Sequence, residues 1–173
     1  VGGSSVLITF HPHPRKVLYP DTAGKGLKLI NSQSEKTMLL EEIGLDHLII
    51  MEFTADFART TSDEFVEHYL LGKLHAHTIV VGFNHFFGYR REGSFTSLYE
   101  ARALFGFRVE EIPEQEIQNE TVSSTKIRKA LKEGNIQRAN AYLEHHYMIR
   151  ANMEPMPELA ANYGNPCLMI QVG

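Results

Sequence analysis

Cysteine is almost missing from the chain. Cys167 stands alone, which excludes an intramolecular disulfide framework and a cysteine-rich zinc site and fits a reducing compartment, the cytoplasm. Positive charge is also scarce. Lys and Arg number 17 against 21 Asp and Glu, a formal net charge of -4, whereas a dedicated nucleic-acid binder concentrates cations to displace counterions from phosphates. Small anionic ligands need only a local cationic pocket and stay open. No apolar run approaches the roughly 20 residues that span a bilayer, and no secretory pattern follows Val1. Internal repeats and low-complexity tracts are lacking too. What is there is a chain of 173 residues, 43% hydrophobic and 22% charged, enough for one globular domain with a real core.

Short apolar runs alternate with amphipathic segments. The stretches SVLITF (5–10), DHLIIMEF (46–53) and HTIVVGF (77–83) are β-branched and nearly continuous in hydrophobicity, as strands buried on both faces of a parallel sheet are. FRVEEIP (107–113) reads as a fourth strand closed by proline. Between them, Ser32 with Glu35 and Thr61 with Glu64 form capping boxes that start helices. Leu98, Ala101 and Phe105 recur at helical spacing before Gly106, and two further helices are expected over 125–132 and 136–144. This order predicts right-handed crossovers and a three-layer α/β sandwich with a mostly parallel sheet. Ligands of such sheets gather at the carboxyl ends of the strands. After His146 the pattern dissolves into Met, Pro and Asn, with only CLMIQV (167–172) resembling a strand; residues 147–173 read as an irregular extension or the start of another module.

Three loops carry candidate chemistry. TFHPHP (9–14) follows the first strand, and its alternating prolines impose an extended path, so His11 and His13 cannot share a helical face as metal ligands do. The loop is a stiff surface turn or a rigid wall of a binding crevice. VGFNHFFGYRREG (81–93) follows the third strand: Asn84 offers donor and acceptor groups, Phe86, Phe87 and Tyr89 supply flat faces, and Arg90 and Arg91 are forks for phosphate. Any one of these residues alone is as readily core or solvated surface; together they suit a ligand with an aromatic ring and an anion. In VSSTKIR (122–128), Ser123, Ser124 and Thr125 open a helix whose free N–H groups and dipole favour negative charge. Arg128 lies on the face of Ser124 and Thr125. An ordinary cap is the simpler reading of this segment by itself.

In that order and spacing, TFHPHP, VGFNHFFGYRREG and VSSTKIR resemble the adenylyltransferase module of the prokaryotic bifunctional riboflavin kinase/FMN adenylyltransferases, the FAD synthetases, over residues 5–143. The resemblance implies a Rossmann-like nucleotidyltransferase fold over residues 1–146. It also implies transfer of AMP from ATP to FMN, giving FAD and pyrophosphate, with Mg2+ screening charge. Ser124, Thr125 and Arg128 would hold the triphosphate and serve catalysis, with Ser123 beside them. Asn84 and Phe87 would shape the flavin and adenine pockets, and Phe10, Pro12 and Pro14 would form the substrate-side loop. The implied partners are these small molecules, with no nucleic acid and no membrane.

Three departures qualify the match. The family's H-x-G-H signature does not occur in the chain, residues 147–173 lack the Gly- and Thr-rich start of the kinase domain, and His11 stands where the family often has Asp. With Val1 in place of Met, these suggest a partial chain that lacks its first strand-helix unit and most of a kinase half. Two other readings stay open: a non-catalytic flavin- or nucleotide-binding module, and an adenylyltransferase for another acceptor such as nicotinamide mononucleotide or phosphopantetheine.

Overall fold

The computed structural model describes residues 2–117, 120–155 and 168–172. Cys167 and residues 156–166 of the expected extension lie outside them. Strands form where the apolar runs predict: β1 Val6–His11, β2 His47–Glu52, β3 Thr78–Gly82 and β4 Arg108–Ile112. β1 pairs with β2, and the same offset joins them at either end: His47 N–H donates to the Ser5 carbonyl and Phe53 N–H to that of His11, as parallel strands require. Ser5 pins the start of this pair, since its N–H and hydroxyl donate to Asp46 Oδ2 at 2.7 and 2.8 Å. β3 and β4 are parallel, with Thr78 opposite Arg108 and Gly82 opposite Ile112.

The strands depart from expectation in burial. Ile79 and Val81 are buried, but Val80 between them is 53% exposed and Ile50 of β2 is 48% exposed. Each parallel pair has two strands among the described residues, and Val80 and Ile50 mark where it is not buried on both faces as continuous hydrophobicity anticipates.

The chain divides into two compact units, one of Val1–Ile8, Lys28–Ile49 and Val122–Gly173, the other of Thr9–Leu27 and Ile50–Thr121. The first holds helix α2, Gln33–Glu42, begun by the Ser32/Glu35 capping box, and the helices α5, Ser124–Lys132, and α6, Ile136–Leu143. Ile127, Ala130, Ala139 and Tyr142 form its core, with Ala139 fully buried. Its last strands, β7 Ala151–Pro155 and β8 Leu168–Val172, pair antiparallel; β8 falls on the run read as strand-like, and β7 is a strand that the Met- and Pro-rich composition did not signal.

Three more α-helices lie among the described residues of the second unit. Short α1, Pro14–Leu18, precedes α3, Ser62–Glu64, which continues as a π-helix over Phe65–Lys73, and α4, Phe95–Phe105, ends on Gly106 in the left-handed region. Phe65 and Tyr69 stack at 5.6 Å and 28° on the π-wound stretch. Leu98 is 2% exposed at the centre of this unit. The small strands β5 Glu116–Ile117 and β6 Glu120–Thr121 pair antiparallel.

Candidate functional site

Ser123 opens α5 from an extended conformation, and its Oγ accepts the Lys126 N–H at 3.3 Å. That hydroxyl is therefore the cap. Ser124 and Thr125 follow as the first helical residues and are exposed, where backbone N–H groups have no partner inside the helix. The opposite face is held down by Ile127 at 6% and Ala130 at 3% exposure, so packing fixes which way the hydroxyls point. Arg128 Nε donates to the Lys28 carbonyl at 2.6 Å. One donor of the guanidinium sets its position and the terminal nitrogens keep theirs.

Lys28 leads into a segment with unusual polar burial. Asn31 and Gln33 bury amide nitrogens that find no partner among the described residues, and between them Ser32 N–H donates to Glu35 Oε2 at 2.6 Å. Glu35 is 6% exposed and also accepts the Arg150 N–H at 2.6 Å. Burial works against its charge, yet the N–H groups of Arg150 and Ser32 outweigh it and hold the carboxyl below the usual value.

In the second unit, the structure divides the residues of TFHPHP. The Phe10 ring joins Phe53 and Phe57, each 5.5 Å away. Phe57 in turn meets Phe65 and Tyr69, and Phe65 meets Phe87 at 6.1 Å. Pro12 is exposed after a cis bond from His11. Pro14 does not continue an extended path: it is the first residue of α1, capped by His13, whose Nδ1 accepts the Arg15 N–H at 3.1 Å. Proline suits that position because its missing N–H would be unpaired there anyway.

Residues 83–93 separate outward from inward rings. Asn84 is exposed at φ 56°, and Phe86 is 43% exposed with the Arg91 guanidinium 4.8 Å from its centre. Phe87 turns inward onto Phe65 and stacks with His85 at 6.2 Å. A side chain at Gly93 would lie 2.7 Å from the Phe87 ring, so glycine there makes room for it. Partial burial and the Arg91 cation lower the His85 imidazole below its usual value. Lys28 and the Arg150 partner of Glu35 escaped sequence reading because these contacts join segments distant in the chain and run through backbone groups.

A sequence model described as FAD synthetase matches residues 2–126. The chain belongs to the FAD synthetase family. The FAD synthetase match takes in Phe10, Pro12, Pro14, Asn84, Phe87 and Ser123 to Thr125, and stops short of Arg128. The chain is 30% identical over 172 residues, 99% of its length, to the bifunctional riboflavin kinase/FMN adenylyltransferase of Listeria monocytogenes, of which it covers 53%. It is 29% identical to that of Escherichia coli K12 over 93% of the chain and 50% of the relative. For Bacillus subtilis 168 the figures are 30%, 86% and 46%. The chain thus spans about half the length of the curated relatives it matches. A solved structure titled a macrolide-efflux protein from Streptococcus pneumoniae superposes with a TM-score of 0.79 at 24% identity, covering 98% of this chain and 54% of that one. This likeness is one of fold: the chain is an α/β protein with parallel strands, in keeping with the nucleotidyltransferase-like fold of the family to which it belongs.

Proposed function

We propose that the chain binds ATP and FMN and joins them to FAD, with residues 1–146 as the adenylyltransferase domain and residues 147–173 as an extension or the remnant of a riboflavin kinase module. The observation that carries the reading is the start of α5, where a capped helix exposes Ser124 and Thr125 while Arg128 is fixed through its Nε. Such a start accepts an anion without rearrangement.

An oxygen of the FMN phosphate forms the new bond to the α-phosphorus of ATP, and the bond from that phosphorus to the β-phosphate oxygen breaks. Pyrophosphate leaves with the electron pair. No covalent enzyme intermediate is needed, so alignment and charge neutralisation do the catalysis. Ser124, Thr125 and Arg128 receive the departing polyphosphate, with Ser123 setting the helix start. Residues 83–93 take the flavin, Phe86 and Asn84 outward and Phe87 behind them, and the loop containing Phe10, Pro12 and Pro14 borders the same ligand. Mg2+ enters this proposal as the nucleotide's counterion, since magnesium binds through substrate phosphates with one or two carboxylates rather than an all-protein cage. No described helix is long and apolar enough to cross a membrane, and cytoplasmic action on small molecules is part of the same proposal.

The test is to incubate the purified chain with FMN, ATP and magnesium and to separate the products. FAD and pyrophosphate in equal amounts support the proposal, and Arg128→Ala lowers the rate roughly a hundredfold. Because no H-x-G-H element occurs in the chain, binding of both ligands without product is the second reading. Nicotinamide mononucleotide in place of FMN tests the other acceptor.

A further inference from the structure

We infer that Glu92 is a positioning residue that holds the outward rings and arginines of residues 83–91 in place by anchoring their loop to the start of α3. The inference rests on the flavin reading above. At the start of α3 the capping box spends its bonds on Thr61 and Glu64: Thr61 N–H donates to Glu64 Oε2 and Glu64 N–H to Thr61 Oγ1. The Ser62 N–H is left for a group from outside the helix, and Glu92 Oε1 accepts it at 2.9 Å, thirty residues along the chain. Ser62 is only 9% exposed, so losing this acceptor strands a buried donor.

Two further contacts tie the loop to the same spot. Tyr89 N–H donates to the Thr60 carbonyl at 2.8 Å, and Gly88, at φ +73°, approaches so closely that a Cβ would stand 2.6 Å from the Ser62 nitrogen. The loop also closes on itself, since Phe87 and Gly93 exchange N–H to carbonyl bonds of 3.0 and 2.9 Å. Within this ring Arg90 and Arg91 sit at φ 53° and 63°, a left-handed conformation that side chains adopt only when the surroundings impose it. Their guanidinium groups lie over Tyr89 and Phe86. Among the described residues Glu92 makes no ion pair with either arginine, so its charge faces the helix start rather than cancelling the cations beside it. Released from Ser62, the arginines would relax to ordinary backbone angles and leave Phe86.

The experiment is a fluorescence titration of the intact chain with FMN, and separately with ATP. Glu92→Ala should weaken FMN binding about tenfold, the worth of one charged hydrogen bond, and leave ATP binding unchanged. Glu92→Gln should restore it, because the amide oxygen still accepts the Ser62 N–H. Gly88→Ala should reproduce the loss from the other side of the contact, and it decides the matter if Glu92→Ala does not fold. Wild-type FMN affinity in both Glu92→Ala and Gly88→Ala, or Glu92→Gln as weak as Glu92→Ala, would overturn the inference. Should the unaltered chain bind no FMN, the flavin reading fails separately. Hydrogen exchange at 86–91 then judges Glu92: faster exchange in Glu92→Ala upholds its positioning role, and unchanged exchange removes it.

Discussion

Arg128 Nε donates to the backbone carbonyl of Lys28 at 2.6 Å, joining α5 to a segment 100 residues earlier in the chain. The bond fixes a half-buried cation in the free chain, and under the proposed function that fixation would lower the entropy cost of binding an anion.

From this bond, removal of Arg128 should affect ligand binding more than folding. Arg128→Ala is expected to cost about 1 kcal/mol of stability or less, while ATP affinity falls about tenfold or more because a charge-assisted contact to phosphate is lost. Arg128→Lys keeps the charge without the planar fork and should fall between. Urea denaturation and calorimetric titration with ATP measure the two effects on the same samples.

Glu35 gives a prediction in pH. Its carboxyl lies below the ordinary 4.5 in the folded chain, so the carboxylate stabilises the fold above that value and the contribution is lost as pH falls through the folded one. Glu35→Ala should cost roughly 1–3 kcal/mol at neutral pH by stranding the N–H groups of Ser32 and Arg150. The gap between the two proteins should narrow on acidification, as chemical denaturation across that range would record.

His85 is held below its ordinary 6.5, first by partial burial and then by Arg91. For a base with a lowered folded value, stability is present above the unfolded value and lost as pH falls through the folded one. Arg91→Ala should raise the midpoint of the His85 imidazole followed by NMR, and Arg91→Lys should leave it low.

Gly93 and Phe87 should behave as a coupled pair. Gly93→Ala places a methyl group 2.7 Å from the ring and should destabilise by about 1–3 kcal/mol through overpacking. Phe87→Ala removes the obstacle, so the double variant should lose less than the sum of the single ones in thermal melts.

The strands β1 to β3 were legible because continuous β-branched runs leave few other solutions, β4 was legible from its alternation and closing proline, and the Ser32/Glu35 and Thr61/Glu64 capping boxes marked two helix starts correctly. The α1 turn was not, since Pro14 reads equally as the end of an extended loop and as a first helical residue. The π-winding of Phe65–Lys73 has no local signature: Phe65 and Tyr69, four apart, meet on one side in either helix type. At the candidate site, the helix start and Arg128 could be read from spacing. Their fixation could not, because Lys28 contributes a carbonyl that any residue would carry. Phe86 and Phe87 look alike in sequence, and only the packing of Phe65 and Gly93 separates the outward ring from the inward one.

The grip of α5 on polyphosphate is tested most directly by titrating ATP into the labelled chain while following backbone amide resonances. Saturable shifts at Ser124, Thr125 and Lys126, together with Arg128 Nε and all weakened in Arg128→Ala, are the result predicted here. Shifts gathered elsewhere, with residues 123–128 unmoved at saturation, would contradict it.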